Sequence, residues 1–166
     1  GSPMKSLRGL LATYRLAAGD VIHVDAGAYR LVRNIELSDD DSGVVLEGFV
    51  DPVDGSRKTV LDRGNAASGT AVFQFTGADD VTIRGFGITG AEHGVKIENV
   101  DSDRVTVTGN EIYQNRYTGV FYSSSLADGF VASGNDVWGH ATRTRDDTGI
   151  YISASGNGSL QPVVTG

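Results

Sequence analysis

Three stretches of this chain can be laid over one another residue for residue, and that repetition constrains the fold more than any other feature. Val81-Thr82-Ile83-Arg84-Gly85-Phe86-Gly87-Ile88-Thr89 aligns with Val105-Thr106-Val107-Thr108-Gly109-Asn110-Glu111-Ile112-Tyr113. Both align with Phe130-Val131-Ala132-Ser133-Gly134-Asn135-Asp136-Val137-Trp138, so the offsets are 24 and 25 residues. Each stretch leads to a strand that opens on glycine: Gly94-Val95-Lys96-Ile97, Gly119-Val120-Phe121-Tyr122 and Gly149-Ile150-Tyr151-Ile152. A repeat of this length, carried by short alternating runs, predicts stacked coils, because one repeat cannot bury its own apolar side. Helical repeats would need a helical period, and the leucine spacing of leucine-rich repeats is absent. An ordinary β-sandwich remains the alternative. The 23 glycines of 166 residues, set singly between apolar runs, fit many short strands joined by tight turns.

Ser6 to Leu16 predicts one helix, with Leu7, Leu10, Leu11 and Tyr14 on one face and Ser6 as N-cap. Strands are expected at Val21–Val24, Ile35–Leu37, Val44–Leu46, Thr59–Leu61 and Val72–Phe75, and a turn at Asp25–Tyr29. Residues 1–5 read as tag or disordered sequence, Gly1-Ser2-Pro3 resembling an expression scar. Residues 6–166 read as one domain, and no capping sequence closes its C-terminal end. That end predicts either continuation of the stack in a longer protein or a homo-oligomer, with Gln161-Pro162-Val163-Val164-Thr165-Gly166 starting a further strand.

Alternation assigns the faces. Val81, Ile83, Val105, Val107, Phe130 and Ala132 should point inward, as should Val95, Ile97, Val120, Tyr122, Ile150 and Ile152. Glu36, Gln74, Lys96, Phe121 and Tyr151 should then form one outward row. Asn110 and Asn135 recur at a turn position and read as structural.

A family resemblance rests on two stretches. Ala18-Gly19-Asp20-Val21-Ile22-His23-Val24-Asp25-Ala26-Gly27-Ala28-Tyr29, preceded by an amphipathic helix, resembles the opening of pectin-lyase-like β-helix proteins. The Val-Thr-x-x-Gly-Asn-x-Ile units resemble their repeats. The resemblance spans roughly residues 6 to 158 and implies a right-handed parallel β-helix of about five coils with an N-terminal capping helix. It also implies stacking of Asn110 and Asn135 as an internal ladder. It leaves activity open, since the superfamily holds lyases, polygalacturonases, epimerases, tailspikes, adhesins and binding modules.

Charge narrows the partners. Lys plus Arg number 14 against 21 Asp plus Glu, a net charge of −7. With no basic stripe to offset it, that field repels a phosphate backbone and argues against nucleic acid. No apolar run approaches 18 residues, so membrane insertion is not expected. There is no cysteine, hence no disulfide or thiolate chemistry.

The ligand expected is a polysaccharide, at the cell surface or outside the cell, bound without a cofactor. The candidate binding residues are Tyr113, Phe121, Trp138 and Tyr151, with Lys96, His140, Arg143 and Arg145 as polar contacts. Flat rings stack on the apolar faces of sugars, and Arg and Asp in the adjacent loop can hydrogen-bond hydroxyls or carboxylates. The competing reading is that the rings merely pack against one another and stabilise the stack. Asp79-Asp80 and Asp101-Ser102-Asp103 precede strands at corresponding turns; a solvated turn is the plainer reading and a weak calcium site the other. A lyase, epimerase or hydrolase fragment is the main alternative function, and a passive structural or adhesive spacer the third. A hydrolase would need two carboxylates across a cleft, whereas Asp146-Asp147 are adjacent in sequence.

Overall fold

The computed structural model describes residues 6–140, 148–153 and 162–165. Helix α1 (Leu7–Thr13) comes first, capped by Ser6, whose Oγ accepts from Gly9 N–H at 2.9 Å. It is shorter than the sequence predicts. Tyr14 forms its C-cap and is 56% exposed, so it is not part of the buried face. Leu7 is buried, and Leu10, Leu11 and Leu16 pack on the same core.

The chain then winds through three sheets in strict rotation. The first coil is β1 (Val21–Val24), β2 (Gly27–Arg30) and β3 (Ile35–Leu37). The second is β4 (Val45–Gly48), β5 (Thr59–Asp62) and β6 (Ala71–Phe75). The third is β7 (Thr82–Arg84), β8 (Phe86–Thr89) and β9 (His93–Glu98), and the fourth is β10 (Thr106–Thr108), β11 (Glu111–Tyr113) and β12 (Thr118–Ser123). The fifth is β13 (Val131–Ser133), β14 (Asp136–Trp138) and β15 (Thr148–Ser153), and β16 (Val163–Thr165) opens a sixth. Sheet A stacks β1-β4-β7-β10-β13-β16, sheet B β2-β5-β8-β11-β14, and sheet C β3-β6-β9-β12-β15. Every pairing within the sheets is parallel, for instance Thr106 with Thr82 and with Val131. The result is a parallel β-helix of five coils with one N-terminal helix.

The aligned segments thus fall in register as expected, and the pattern starts earlier than the sequence suggested. Val21 pairs with Val45, so the first two coils belong to the same stack. The period is hidden there because the segment after β4 expands into a loop closed by an antiparallel bridge between Val50 and Arg57. The expected turn at Asp25–Tyr29 is a correction: most of it is strand β2, paired through Tyr29 with Leu61.

Core positions follow the alternation. Val81, Ile83, Val105, Val107, Phe130, Val95, Ile97, Val120 and Tyr122 are fully buried. Tyr122 meets the requirement that a buried hydroxyl be paired, donating to Ala127 C=O at 2.7 Å, and its ring stacks on Phe130 at 4.8 Å. Glycine makes the close stacking possible in two ways. Gly109 and Gly134 adopt φ of 62° and 57° ahead of the turn asparagines, a region that side chains resist. At Gly94 a Cβ would lie 2.5 Å from the Gly119 carbonyl oxygen, so any larger residue forces the coils apart. Asn110 is wholly buried. It accepts from Phe86 N–H at 3.0 Å, and its amide donates to Ile83 C=O at 3.0 Å and to Asn135 Oδ1 at 3.1 Å. Both asparagines serve the turn, as the sequence indicated.

Candidate functional site

The outward row on sheet C is real. Glu36 pairs with Gln74, Gln74 with Lys96, Lys96 with Phe121, and Phe121 with Tyr151. Phe121 and Tyr151 stack at 5.1 Å with their planes 9° apart. On the other side of Phe121 lies His93, with centroids 4.8 Å apart and planes at 37°. A column of three rings, His93–Phe121–Tyr151, therefore runs along the axis of the stack. Tyr117, on the turn between sheets B and C, meets His93 edge-on at 5.7 Å.

The second pair, Tyr113 and Trp138, stacks at 4.9 Å and 8° on the outer face of sheet B. The sequence suggested one face bearing all four rings; the structure distributes them over two sheets, with residues 114–117 turning the corner between them. In both columns the rings face each other along the axis, so inner ring faces are consumed by packing, as the structural reading anticipated. Among the described residues Trp138 and Tyr151 are the last rings of the two columns, and they are 46% and 40% exposed. Tyr113 has its hydroxyl pKa raised, by burial first and then by the nearby carboxylates of Glu111 and Asp62.

Around the sheet C column sits a polar cluster that sequence reasoning missed. His93 is buried, and its Nδ1 lies 2.7 Å from Thr118 Oγ1. Its Nε2 is 3.7 Å from a Glu92 carboxylate oxygen. Burial pushes the His93 pKa down to about 4, outweighing the opposing pull of Glu92, so at neutral pH the contact is not an ion pair. Glu92 is itself nearly enclosed. It accepts from Gly69 N–H at 2.6 Å and from Arg116 Nη2 at 3.1 Å. Lys96 extends its ammonium to Glu98 at 2.7 Å. The available signal was positional: His93, Thr118 and Thr148 each precede a strand glycine and are register partners. It was obscured because a Cβ on Gly94 would point at Ile112 and Asn115, toward the interior, and Val95 is also buried. Alternation slips by one at that step, which brings His93 out against Phe121.

The remaining candidates fall elsewhere. His140 lies in the turn after β14, with Nε2 3.0 Å from Ile112 C=O, and burial lowers its pKa. It is part of the turn rather than of either ring column. Arg143 and Arg145 lie outside the described residues. The turn aspartates hydrogen-bond between coils: Asp79 accepts from Asp103 N–H, and Asp103 from Asp128 N–H, both at 2.8 Å. Asp80 is gripped by Arg104 at 2.7 and 2.9 Å, which lowers its pKa. Among the described residues no group of three or more His, Cys, Asp or Glu side chains is arranged to hold a metal ion, and no helix is long and apolar enough to cross a membrane.

Comparison with protein-family models, with curated proteins and with solved structures returns no match for this chain. The functional reading accordingly rests on the fold and on these side chains.

Proposed function

We propose that the protein is a non-catalytic polysaccharide-binding β-helix of the pectin-lyase-like kind, working at a cell surface or outside the cell. The observation that supports it most is the exposure of Trp138 and Tyr151, each the last ring of a stacked column among the described residues, on an outer face of the fifth coil. An aromatic face left to solvent at the end of a rigid column is a ready platform for the apolar face of a sugar, since stacking loses little side-chain freedom. Lys96 on sheet C, Arg116 on the corner between sheets B and C, and Glu111 on sheet B are the polar side chains beside the columns that would meet hydroxyl groups. Titration calorimetry of the protein, Trp138→Ala and Tyr151→Ala against a panel of plant, algal and bacterial polysaccharides tests this reading. It expects binding by the wild type and a loss of about tenfold in at least one variant, with unchanged melting. Failure of the wild type to bind any glycan rejects it, and turnover of a glycan that stops in Lys96→Ala replaces it with catalysis.

A further inference from the structure

Resting on the polysaccharide reading, we infer that the sheet C face takes an uncharged glycan and rejects polyuronates and sulfated chains. The reason lies in how its cations are held. Lys96 is the one ammonium in the outward row; its side chain is only 15% exposed, and Glu98 sits 2.7 Å from its Nζ. Arg116 has its charge matched by Glu92 at 3.1 Å, with Glu92 fixed from behind by Gly69 N–H. His93, the imidazole within the ring column, is enclosed by Phe121, Tyr117, Thr118 and Glu92 and stays neutral. At the start of the row stands Glu36, exposed and without a cation within 4 Å among the described residues. The two cations beside the ring column are thus each matched by a carboxylate, while Arg63, next to Gln74, is held by Asn34 Oδ1 and Leu31 C=O, and Glu36 adds a further negative charge on a chain whose net charge is −7.

A carboxylate or sulfate bound here would have to displace Glu98 or Glu92 from an established partner. It would also sit within the screening distance of about 8–10 Å of the displaced charge. A hydroxyl imposes neither cost. It can accept from the donors that Lys96 and Arg116 have left while each stays paired, and the Tyr151 ring offers a surface that does not discriminate by charge.

The experiment is calorimetry with uncharged hexasaccharides of β-1,4-linked glucose, xylose and mannose. Hexagalacturonate and an alginate hexamer serve as the anionic probes, each at low and at raised salt. The expected result is binding of an uncharged probe with affinity unchanged within about twofold by salt, and anionic probes at least about tenfold weaker. Glu98→Gln leaves Lys96 unmatched. It should raise affinity for the anionic probes about fivefold at low salt while leaving the uncharged probe as it was. Tighter, salt-sensitive binding of an anionic probe by the wild type overturns this inference and leaves glycan binding standing. An unaltered anionic affinity in a folded Glu98→Gln protein also overturns it. Binding of no probe at all removes both readings together.

Discussion

His140 stands one coil beyond Asn115 and takes over its hydrogen bond. Asn115 donates its side-chain amide to Ile88 C=O at 3.2 Å; His140 Nε2 lies 3.0 Å from Ile112 C=O, and Ile88 and Ile112 are register partners. Because a carbonyl can only accept, the proton of the neutral imidazole is on Nε2. An imidazole can thus fill the place of an amide in this ladder. The variant His140→Asn should retain wild-type melting within a few degrees and bind glycan unchanged. His140→Ala, which removes that side-chain hydrogen bond from the Ile112 carbonyl, should lose about 1–2 kcal/mol in denaturant unfolding. A loss of binding with no loss of stability would instead return His140 to the binding face.

The other turn ladder is deeper and should be costlier to break. Asn110 is completely buried and satisfies Phe86 N–H and Ile83 C=O at once, whereas Asn135 is only half-buried at the outer end of its ladder. Asn110→Ala is therefore expected to destabilise by about 3 kcal/mol and Asn135→Ala by about half as much. Urea titration of the two variants measures the difference. Equal losses would show that burial does not set the cost.

Two histidines give the fold a signature in its pH dependence. His93 has its pKa lowered to about 4 and His140 has its pKa lowered too, both by burial. In the unfolded chain histidine titrates near about 6.5, so between that value and the folded pKa the unfolded state binds more protons. Stability is then fully present above about pH 6.5 and drains away as pH falls toward about 4. Melting temperature against pH should decline across this window, before Asp80, held low by Arg104, takes part. In His93→Gln the decline should be visibly shallower. A flat profile from pH 7 to pH 4.5 would mean that neither imidazole is buried neutral.

The sequence disclosed some parts of this molecule and hid others for physical reasons. Coils three to five were legible because Gly85, Gly109 and Gly134 repeat a left-handed turn, and the same spacing fixed the row from Glu36 to Tyr151. The first two coils were not, because the loop from Phe49 to Lys58 stretches the period without disturbing the pairing of Val45 with Thr82. Strand β2 reads as a turn because Asp25, Gly27 and Tyr29 suit either state, and only the Leu61 partner across the sheet decides. The binding residues divided similarly. Pairwise stacking of Tyr113 with Trp138 follows from register, but which sheet a pair faces depends on the corner made by residues 114–117, and spacing does not encode that angle. His93 escaped because the strand alternation slips at Gly94.

Gly119 offers a test of the close coil contact. A Cβ there would lie 2.7 Å from the Gly149 carbonyl oxygen, 2.8 Å from His140 Nε2 and 2.9 Å from Val137 Cγ1, and the carbonyl can yield only if the coil itself moves. Gly119→Ala should unfold at markedly lower denaturant, by about 2–3 kcal/mol, as overpacking of a rigid site does. By contrast, Gly55→Ala, on an exposed loop with nothing within 4 Å, should lose only the cost of its φ of 73°, about 1 kcal/mol. Similar losses in the two would show that the coils can separate to admit a methyl group.

The sheet C column separates support from contact, because its rings have different duties. Phe121 is sandwiched between His93 at 4.8 Å and Tyr151 at 5.1 Å, and the covering it gives is part of what keeps the imidazole neutral. Phe121→Ala should lower stability by about 2–3 kcal/mol through the cavity it leaves. It should also raise the His93 pKa, measured by proton NMR of the imidazole, because water then reaches the ring. Among the described residues no ring stacks on the outer side of Tyr151, which is 40% exposed. Tyr151→Ala should melt within a few degrees of the wild type and leave the His93 titration in place, yet weaken glycan binding by about tenfold, the worth of one stacked ring. If Tyr151→Ala instead lowers stability as far as Phe121→Ala and binding is untouched, the column is only a brace between coils, and the binding face has to be sought on sheet B around Trp138.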